Sequence, residues 1–295
     1  AEDAVILLSN ANTVYEVPLT VYASGIGPVL ERFTGNTKTP DLTKWRKLAQ
    51  AQETRFPKTV KIGMVAKYLD NEDTYISVLE ALKAAAWQEE VNLAIEWISA
   101  EEATDDDLSK VDGLLVPGGF GKRGIEGKVQ TAAFALENKK PYLGICLGLQ
   151  VAVIAATRKA GLKDANSTEF EPETKHDVVY IMEGQQGKES TGGTLRLGDY
   201  PAVLTKDSLA ATVYDLTDII ERHRHRYEVN QKFTKDIEKG GLVISGTSPD
   251  GKLVEFVEAK DHPYFLATQA HPEFRSRPSR PHPMFVGLIK AAAEN

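Results

Sequence analysis

The segment YLGICLGLQ, residues 142–150, decides how the chain folds. Its first half is an apolar strand, and its second half opens a helix, because apolar residues continue at helical spacing to Ala160. Cys146 stands where the strand meets the helix, and Gly144 and Gly148 lie two residues away on either side. A reactive side chain at such a turn has a strained backbone and needs small neighbours, so the segment is typical of a nucleophile elbow.

Cys146 is the only cysteine among the 295 residues, so it cannot close an internal disulfide or supply a multi-thiolate zinc site. It is either a small buried hydrophobe or a reactive group. At a helix start, unpaired N–H groups and the positive end of the helix dipole favour the thiolate. The flanking glycines and the helix start therefore favour the reactive interpretation.

Outward from this segment, strands and helices alternate from residue 59 onward. Strands are predicted at 59–66, 93–98, 113–116 and 141–145, and helices at 74–87, 105–111, 128–139 and 147–160. This alternation predicts an α/β fold with a doubly wound, mostly parallel sheet. An antiparallel extension is predicted from β-rich runs at 178–182, 194–197, 242–247, 253–259 and 265–269, and a closing helix at 284–293.

Residues 1–57 lack this alternation. A short strand at 4–8 and a short helix at 22–33 are predicted, and TGNTKTP at 34–40 is polar and turn-forming. We interpret residues 1–57 as the end of a preceding domain with a linker, and residues 58–295 as a domain of their own.

The composition excludes several classes of protein. With 35 basic and 42 acidic residues, a net charge of −7 and 42% hydrophobic residues, the chain is neither disordered nor collagen-like. Its apolar runs fall short of the ~20 residues of a membrane helix, and no signal peptide opens it, so we expect a cytoplasmic protein with no membrane partner. An acidic balance without a basic tract argues against nucleic acid as a partner.

His271 has the sequence setting that a general base needs. It follows the apolar run 264–270 and begins HPEF, where Pro272 predicts an extended path. His271 and Glu273 then point to the same side, so Glu273 can orient the imidazole while its other nitrogen faces Cys146. Alternatively, residues 271–274 form only a polar turn after a strand. The nucleophile elbow in the same sheet makes this alternative less favoured.

A glycine loop, VPGGFG at 116–121, follows a buried strand. Its N–H groups, with that of Leu147, would form a two-donor oxyanion hole. Residues 119–124 also match the dinucleotide fingerprint G-x-G-x-x-G. We interpret that match as chance, because it follows the third strand, residues 125–127 are expected to continue as loop, and no acidic strand end follows about 20 residues later.

The elbow, the glycine loop and AHPEF, in this order on an α/β chain, resemble class I glutamine amidotransferase domains. The segments ANSTEF (165–170), GGTLRLG (192–198) and ERHRHRYEVN (221–230) narrow the resemblance to the amidotransferase part of the CTP synthase family. The resemblance implies a flavodoxin-like fold and hydrolysis of L-glutamine to glutamate and ammonia. It also implies that 1–57 is the end of a synthetase domain, which aminates UTP to CTP with ATP and Mg²⁺.

The resemblance also assigns catalytic roles to residues at matching positions. Cys146 would attack the glutamine side-chain amide, His271 would shuttle the proton and Glu273 would orient His271. Gly119 and Leu147 would supply the oxyanion N–H groups. No metal or other cofactor is expected in this domain.

For the substrate, the resemblance places the α-amino group of glutamine on Glu169 and its carboxylate on Arg226. Charge complementarity supports the pair, because a zwitterion needs one anion and one cation. Alternatively, Glu169 is a turn carboxylate and residues 223–226 are a solvated charge run or a weak histidine metal site. The other glutamine-binding residues that the resemblance implies are Gly118, Phe120, Gln150 and Tyr227.

The partners implied by the resemblance are GTP, as activator at the domain junction, and further copies of the full-length chain in homotetramers and filaments. Candidate GTP contacts are Lys122, Arg123, Phe120, Arg275, Arg277 and Arg280. Alternatively, the last three arginines form a solvated loop.

Two rival functions stay open. One is a γ-glutamyl hydrolase or another Cys-His hydrolase, against which the Glu169 and Arg226 pair argues, and the other is a non-catalytic interaction module, against which the intact triad argues.

Overall fold

In the computed structural model, which describes residues 5–7, 9–67, 69, 72–181 and 196–295, the chain divides into units 1–56 and 57–295. The first unit contains a 3-10 turn and three helices. They are Val14–Glu16, α1 (Val17–Ala23), α2 (Ile26–Thr34) and α3 (Thr43–Glu53). Tyr15, Leu48 and Ala49 are its buried side chains within these elements.

The first unit differs from its sequence-based prediction in three ways. Gly25, with a φ of 83°, separates α1 from α2, so the single helix predicted at 22–33 is wrong. Helix α3 was not predicted. Residues 5–7 form no strand, and residues 4 and 8 of the predicted strand lie outside the described residues.

The second unit contains the strands that build the site. They are β1 (Thr59–Ala66), β2 (Asn92–Ser99), β3 (Gly113–Val116), β4 (Tyr142–Ile145), β5 (Ala165–Ser167), β6 (His176–Ile181), β7 (Arg196–Leu204), β8 (Asp218–His225), β9 (Tyr227–Val229), β10 (Leu242–Thr247), β11 (Val254–Ala259) and β12 (Phe265–Thr268). Within the described residues, nine of them form one sheet in the order β2-β1-β3-β4-β12-β11-β10-β7-β8, and β5-β6-β9 form another.

Strand pairing in the larger sheet changes from parallel to antiparallel halfway across. Strands β2, β1, β3, β4 and β12 pair in parallel, and the pairs from β12 through β11, β10 and β7 to β8 are antiparallel. This confirms the α/β sheet with an antiparallel extension. Strands β5, β8 and β9 were not predicted, and residues 182, 194 and 195 of two predicted strands lie outside the described residues.

Helices cover both faces of the larger sheet. They are α4 (Ile76–Gln88), α5 (Asp105–Ser109), α6 (Ile125–Asn138), α7 (Leu147–Lys159), α8 (Leu209–Tyr214), α9 (Thr234–Lys239) and α10 (Pro283–Glu294). Leu114 and Val116 of β3 pack with α6 and α7, whereas Leu115 packs on the opposite face with α4 and α10. Burial on both faces explains why the central strands are continuous apolar runs.

Helix α6 begins at Ile125, directly after Gly124, whose φ of 72° ends the preceding loop. The expectation that residues 125–127 continue as loop is therefore wrong. One of the three arguments against the dinucleotide fingerprint is thereby removed. Two remain, because residues 119–124 follow the third strand and not the first, and no acidic strand end follows about 20 residues later. The helix predicted at 147–160 is confirmed to within one residue.

The start of α7 lies in direct backbone contact with β3. A Cβ added to Gly148 would lie 2.3 Å from the Val116 carbonyl oxygen, and one added to Gly144 would lie 2.7 Å from the Gly148 carbonyl group. The Tyr142 hydroxyl donates to the same Gly148 oxygen at 2.8 Å. Glycine at these two positions is therefore required by the packing of the helix on the sheet.

We expect Gly148→Ala to lower the free energy of unfolding by about 1–3 kcal/mol or more, because the added methyl group overpacks a backbone contact. Urea unfolding followed by circular dichroism measures the change. Gly27→Ala is the control, since its Cβ meets no heavy atom within 4 Å and its helical position favours alanine. Equal stability of the two variants would contradict the packing argument.

Candidate active site

The backbone of Cys146 adopts the strained conformation of an elbow. Its φ is 52° and its ψ is −99°, a region that residues with a side chain rarely occupy. The Cys146 N–H donates to the Thr268 carbonyl of β12 at 2.7 Å, and its carbonyl accepts from the Leu149 and Gln150 N–H groups of α7. The thiol is buried, with 5% of the residue exposed.

Strand β12 brings His271 to the elbow, because β12 pairs in parallel with β4 and its Thr268 lies beside Ile145. The His271 N–H donates to the Arg222 carbonyl at 2.7 Å, which anchors it to β8. His271 Nδ1 lies 2.7 Å from Glu273 Oε1. The pairing of imidazole and carboxylate that the spacing predicts is thus present in the structure.

The path between these two residues differs from the prediction. Pro272–Phe274 is a 3-10 turn and not an extended segment, because the N–H groups of Phe274 and Arg275 donate back to the carbonyls of His271 and Pro272. The turn still directs the carboxylate at Nδ1. The Phe274 ring stacks on the imidazole with the two ring centroids 5.3 Å apart.

The surroundings of His271 favour its protonated form. Burial lowers the pKa of His271, but Cys146 and Glu273 raise it by more, and the pKa comes to about 10. Among the described residues, Nε2 makes no hydrogen bond of normal geometry. Cys146 acts on the imidazole electrostatically, and its effect is the largest of those that raise the pKa of His271.

The glycine loop lies against this pair. A Cβ on Gly118 would lie 2.8 Å from His271 Cε1 and 3.7 Å from Cys146 Cβ, so only glycine leaves the imidazole in place. A Cβ on Gly119 would lie 3.2 Å from Leu147 Cδ2. Gly119 therefore packs against the Leu147 side chain, and the Leu147 N–H belongs to the first turn of α7, where no helical carbonyl can accept from it.

Glu169 is attached to the same loop. Its Oε1 accepts from the Gly121 N–H at 2.7 Å. Burial raises the pKa of Glu169, and this hydrogen bond, Lys67 and Arg226 act in the opposite direction. Arg226 stands between β8 and β9, and its guanidinium is one of the two cations that lower the pKa of the Glu169 carboxyl.

Phe120 is placed differently from the other residues implied by the resemblance. Its ring is 70% exposed, and the Lys67 ammonium lies 5.0 Å from the ring centroid. Lys67 also donates to the Phe120 carbonyl. The structure thus places this side chain at the solvent side of the loop, away from the buried pair of Cys146 and His271.

The side-chain amide of Gln150 forms hydrogen bonds to other groups of the protein. Its Nε2 donates to the Tyr227 carbonyl at 3.2 Å and to Gln269 Oε1 at 3.3 Å. Gln269 in turn directs Nε2 at Cys146 Sγ, 3.5 Å away. Gln269 was not among the predicted site residues, and the only sign of it in the sequence is a polar amide at the end of an apolar run, two residues before His271.

Lys128 of α6 is a second residue that the sequence analysis missed. Its side chain is fully buried, and Nζ has no hydrogen-bond partner among the described residues. Nζ lies 3.6 Å from the position that a Cβ on Gly119 would occupy. Burial lowers the pKa of Lys128 to about 7, and Lys67 also lowers it, while Cys146 raises it. No sequence pattern distinguishes Lys128 from a surface lysine.

Strand β8 contradicts the interpretation of residues 223–226 as a solvated charge run. Its side chains alternate between exposed and buried, and His223 and His225 are buried with Nδ1 and Nε2 2.9 Å apart. Burial lowers the pKa of His223 to about 3 and that of His225 well below its ordinary value. They lie beside Glu228 and Glu255, and burial raises the pKa of both carboxyls.

Three of the remaining basic candidates form exposed ion pairs: Lys122 lies 3.7 Å from Glu171, Arg123 2.7 Å from Glu101 and Arg275 3.2 Å from Asp199. The Arg277 side chain instead donates to the carbonyls of Phe274 and Ser276, and the backbones of Arg277 and Arg280 hydrogen-bond to each other. In the part of the chain that the structure describes, no three His, Cys, Asp or Glu side chains meet as metal ligands. None of its helices is long and apolar enough to cross a membrane.

Comparisons with known proteins show which family this chain is similar to. A family model described as glutamine amidotransferase class-I matches residues 70–291. A CTP synthase of Methanococcus maripaludis is 47% identical over 304 residues, which cover 99% of this chain and 57% of that protein. A CTP synthase of Bacillus subtilis is 44% identical over 297 residues, with coverages of 99% and 55%. The chain spans about half the length of the curated relatives it matches.

One solved structure is also similar. It is the glutaminase domain of Trypanosoma brucei CTPS with bound acivicin, at a TM-score of 0.75 and 40% sequence identity. The match covers 80% of this chain and 94% of that one. The residues matched by the family model, 70–291, all lie in the second unit.

We expect the buried amine of Lys128 to destabilise the folded protein. Below pH 7 the fold must hold a buried charge without a partner, so Lys128→Met should raise the free energy of unfolding by a few kcal/mol at pH 6.5. The folded-state pKa lies below the unfolded value, so the penalty declines as pH rises from 7 towards 10.5. The gain should therefore be smaller at pH 9.

Urea unfolding at the two pH values measures this difference. Lys163→Met, at an exposed lysine, is the control and should change stability little at either pH. A Lys128→Met variant that is no more stable at pH 6.5, or equally stabilised at both pH values, would overturn the assignment of an unpaired buried charge.

Proposed function

Because this chain belongs to the class-I glutamine amidotransferase family, we propose that its second unit is a glutaminase, which releases ammonia from L-glutamine through a thioester on Cys146. One observation carries the proposal. An imidazole whose Nδ1 is fixed on Glu273 lies against the only thiol of the chain, at a left-handed strand-to-helix turn. This is the arrangement of orienter, base and nucleophile that acyl transfer uses.

The reaction follows from the positions of these groups. The Cys146 thiolate attacks the side-chain amide carbon of glutamine, and the N–H groups of Gly119 and Leu147 stabilise the oxyanion of the tetrahedral intermediate. The His271 imidazolium gives its proton to the amide nitrogen, and the carbon–nitrogen bond breaks to release ammonia. A γ-glutamyl thioester remains on Cys146.

His271 then acts in the opposite direction. As a neutral imidazole it takes a proton from water, whose oxygen attacks the thioester carbon, and the sulfur leaves as thiolate with glutamate as the second product. Glu273 keeps Nδ1 protonated and the ring oriented through both half-reactions. The raised pKa of His271 suits the first step, in which it is an acid, and the loss of the thiolate charge on acylation makes it a better base for the second.

Substrate recognition is assigned to the charged pair at the edge of the loop. Glu169 would hold the α-amino group of glutamine and Arg226 its α-carboxylate. Support comes from their charges, from the attachment of Glu169 to the Gly121 N–H and from the electrostatic coupling of the two side chains. The other proposed glutamine-binding residues are Gly118, Phe120, Gln150 and Tyr227.

The full-length protein would use the ammonia to aminate UTP to CTP in a synthetase domain, with ATP and Mg²⁺. The CTP synthase relatives support this, as does their alignment with 99% of the chain, which includes residues before 57. We assign residues 1–57 to the end of that domain and its linker. A homotetramer that assembles into filaments, activation by GTP at the domain junction and a cytoplasmic location belong to the same proposal.

We expect Cys146→Ala to abolish ammonia release, by at least about 10³-fold, because no other thiol can form the thioester. A coupled assay for ammonia with saturating glutamine and long incubation measures the loss. An unchanged urea unfolding midpoint shows that the variant is folded. Ammonia release at the wild-type rate would mean that the nucleophile is wrongly assigned.

Substitutions at the charged pair should act on glutamine binding. Glu169→Gln keeps an oxygen for the Gly121 N–H but removes the charge, and Arg226→Met removes the cation; each should raise the KM for glutamine roughly tenfold or more. Glu171→Gln, at an exposed carboxylate of the same segment, is the control. If the KM were unchanged in both variants, the assigned roles would be wrong.

A further inference from the structure

The proposed mechanism leaves one contact of the nucleophile unused, the amide of Gln269 on Cys146 Sγ. Gln269 is fully enclosed, with 0% of the residue exposed, and Gln150 is 3% exposed. A buried primary amide that faces a sulfur atom is positioned by its other partners. Those partners determine whether its nitrogen or its oxygen faces Cys146.

The orientation of both amides follows from one backbone carbonyl. The Tyr227 carbonyl can only accept, so the Gln150 atom 3.2 Å from it is the nitrogen Nε2. This same nitrogen lies 3.3 Å from Gln269, which must therefore present its oxygen Oε1 there. The remaining group of Gln269, the donor Nε2, is left facing Cys146 Sγ at 3.5 Å.

Resting on the proposed glutaminase function, we propose that Gln269 is a further catalytic residue, whose amide N–H stabilises the Cys146 thiolate, and that Gln150 is a positioning residue that holds this amide in the donating orientation. A thiolate accepts a hydrogen bond strongly and a thiol only weakly, so a fixed donor favours the charged nucleophile. The main chain of Gln269 is held too, since its N–H donates to the Glu255 carbonyl at 2.9 Å.

This chain of contacts also links the nucleophile to the substrate side of the site. Tyr227 directly follows Arg226, so the carbonyl that orients Gln150 belongs to the segment proposed to bind the glutamine carboxylate. Gln150 lies one turn into α7 from Cys146, and its N–H donates to the Cys146 carbonyl at 3.3 Å. Both glutamines are therefore held by the elements that place the thiol.

The lone cysteine allows a direct test, because alkylation by iodoacetamide at different pH values reports on the thiolate of Cys146 alone. Gln269→Met, which keeps the length of the side chain and removes the donor, should raise the apparent pKa of alkylation by about one pH unit. It should also lower the kcat of glutamine hydrolysis about tenfold, with less than a twofold change in KM. Gln231→Met, at an exposed glutamine, is the control.

Gln150→Met tests the positioning role of Gln150 separately from the donor role of Gln269. It also provides a test of the proposal if Gln269→Met does not fold. It should raise the apparent pKa of alkylation in the wild-type background and have no further effect in the Gln269→Met background. Alkylation profiles equal to wild type in folded Gln269→Met or Gln150→Met would overturn the inference. If the wild-type chain released no ammonia while the alkylation profiles still shifted, the glutaminase proposal would fail and the role of Gln269 towards the thiolate would stand.

Discussion

The close approach of the α7 backbone to β3 and β4 is the constraint on which the site depends. With no Cβ at Gly144 or Gly148, the first turn of the helix lies on the Val116 carbonyl, and Cys146 is left to adopt a φ of 52°. The strain of one residue is balanced by hydrogen bonds on both sides, from its N–H to β12 and to its carbonyl from α7. The thiol therefore stands at the carboxyl end of the parallel strands, where the glycine loop and His271 also arrive.

Burial then determines the electrostatics. In water a neighbouring carboxylate would shift an imidazole pKa modestly, but in this enclosed site the effects of Cys146 and Glu273 outweigh the cost of burying His271 and bring its pKa to about 10. Burial likewise lowers the pKa of Lys128 to about 7, with a contribution from Lys67, and no carboxylate of the described residues offsets it. The pKa values of His271 and Lys128 thus shift in opposite directions, because His271 has the Glu273 carboxylate in contact and Lys128 does not.

The sequence predicted the features that depend on local pattern. Strands β1 and β3, helix α7, the elbow and the pairing of His271 with Glu273 follow from periodicity, glycine spacing and residue separation, and the structure contains them. It did not predict β8, whose alternating charged and apolar residues look like a solvated segment until the buried partners are known. Gln269 and Lys128 were missed for a related reason, since their importance lies in contacts across the fold.

The antiparallel extension completes the site, because its strand β8 and the segment that follows supply the backbone carbonyls that hold His271 and Gln150. Strand β8 holds the His271 N–H through the Arg222 carbonyl, and the segment after it supplies Arg226 and the carbonyl that orients Gln150. Strand β8 is the last strand of its sheet among the described residues, so its position depends strongly on side chains. Arg196 of β7, 2.7 Å from Glu255 of β11, and the two buried histidines supply those contacts. Because buried charges are costly unless paired, this cluster favours one arrangement of strands, and with it the position of Arg226 relative to Cys146.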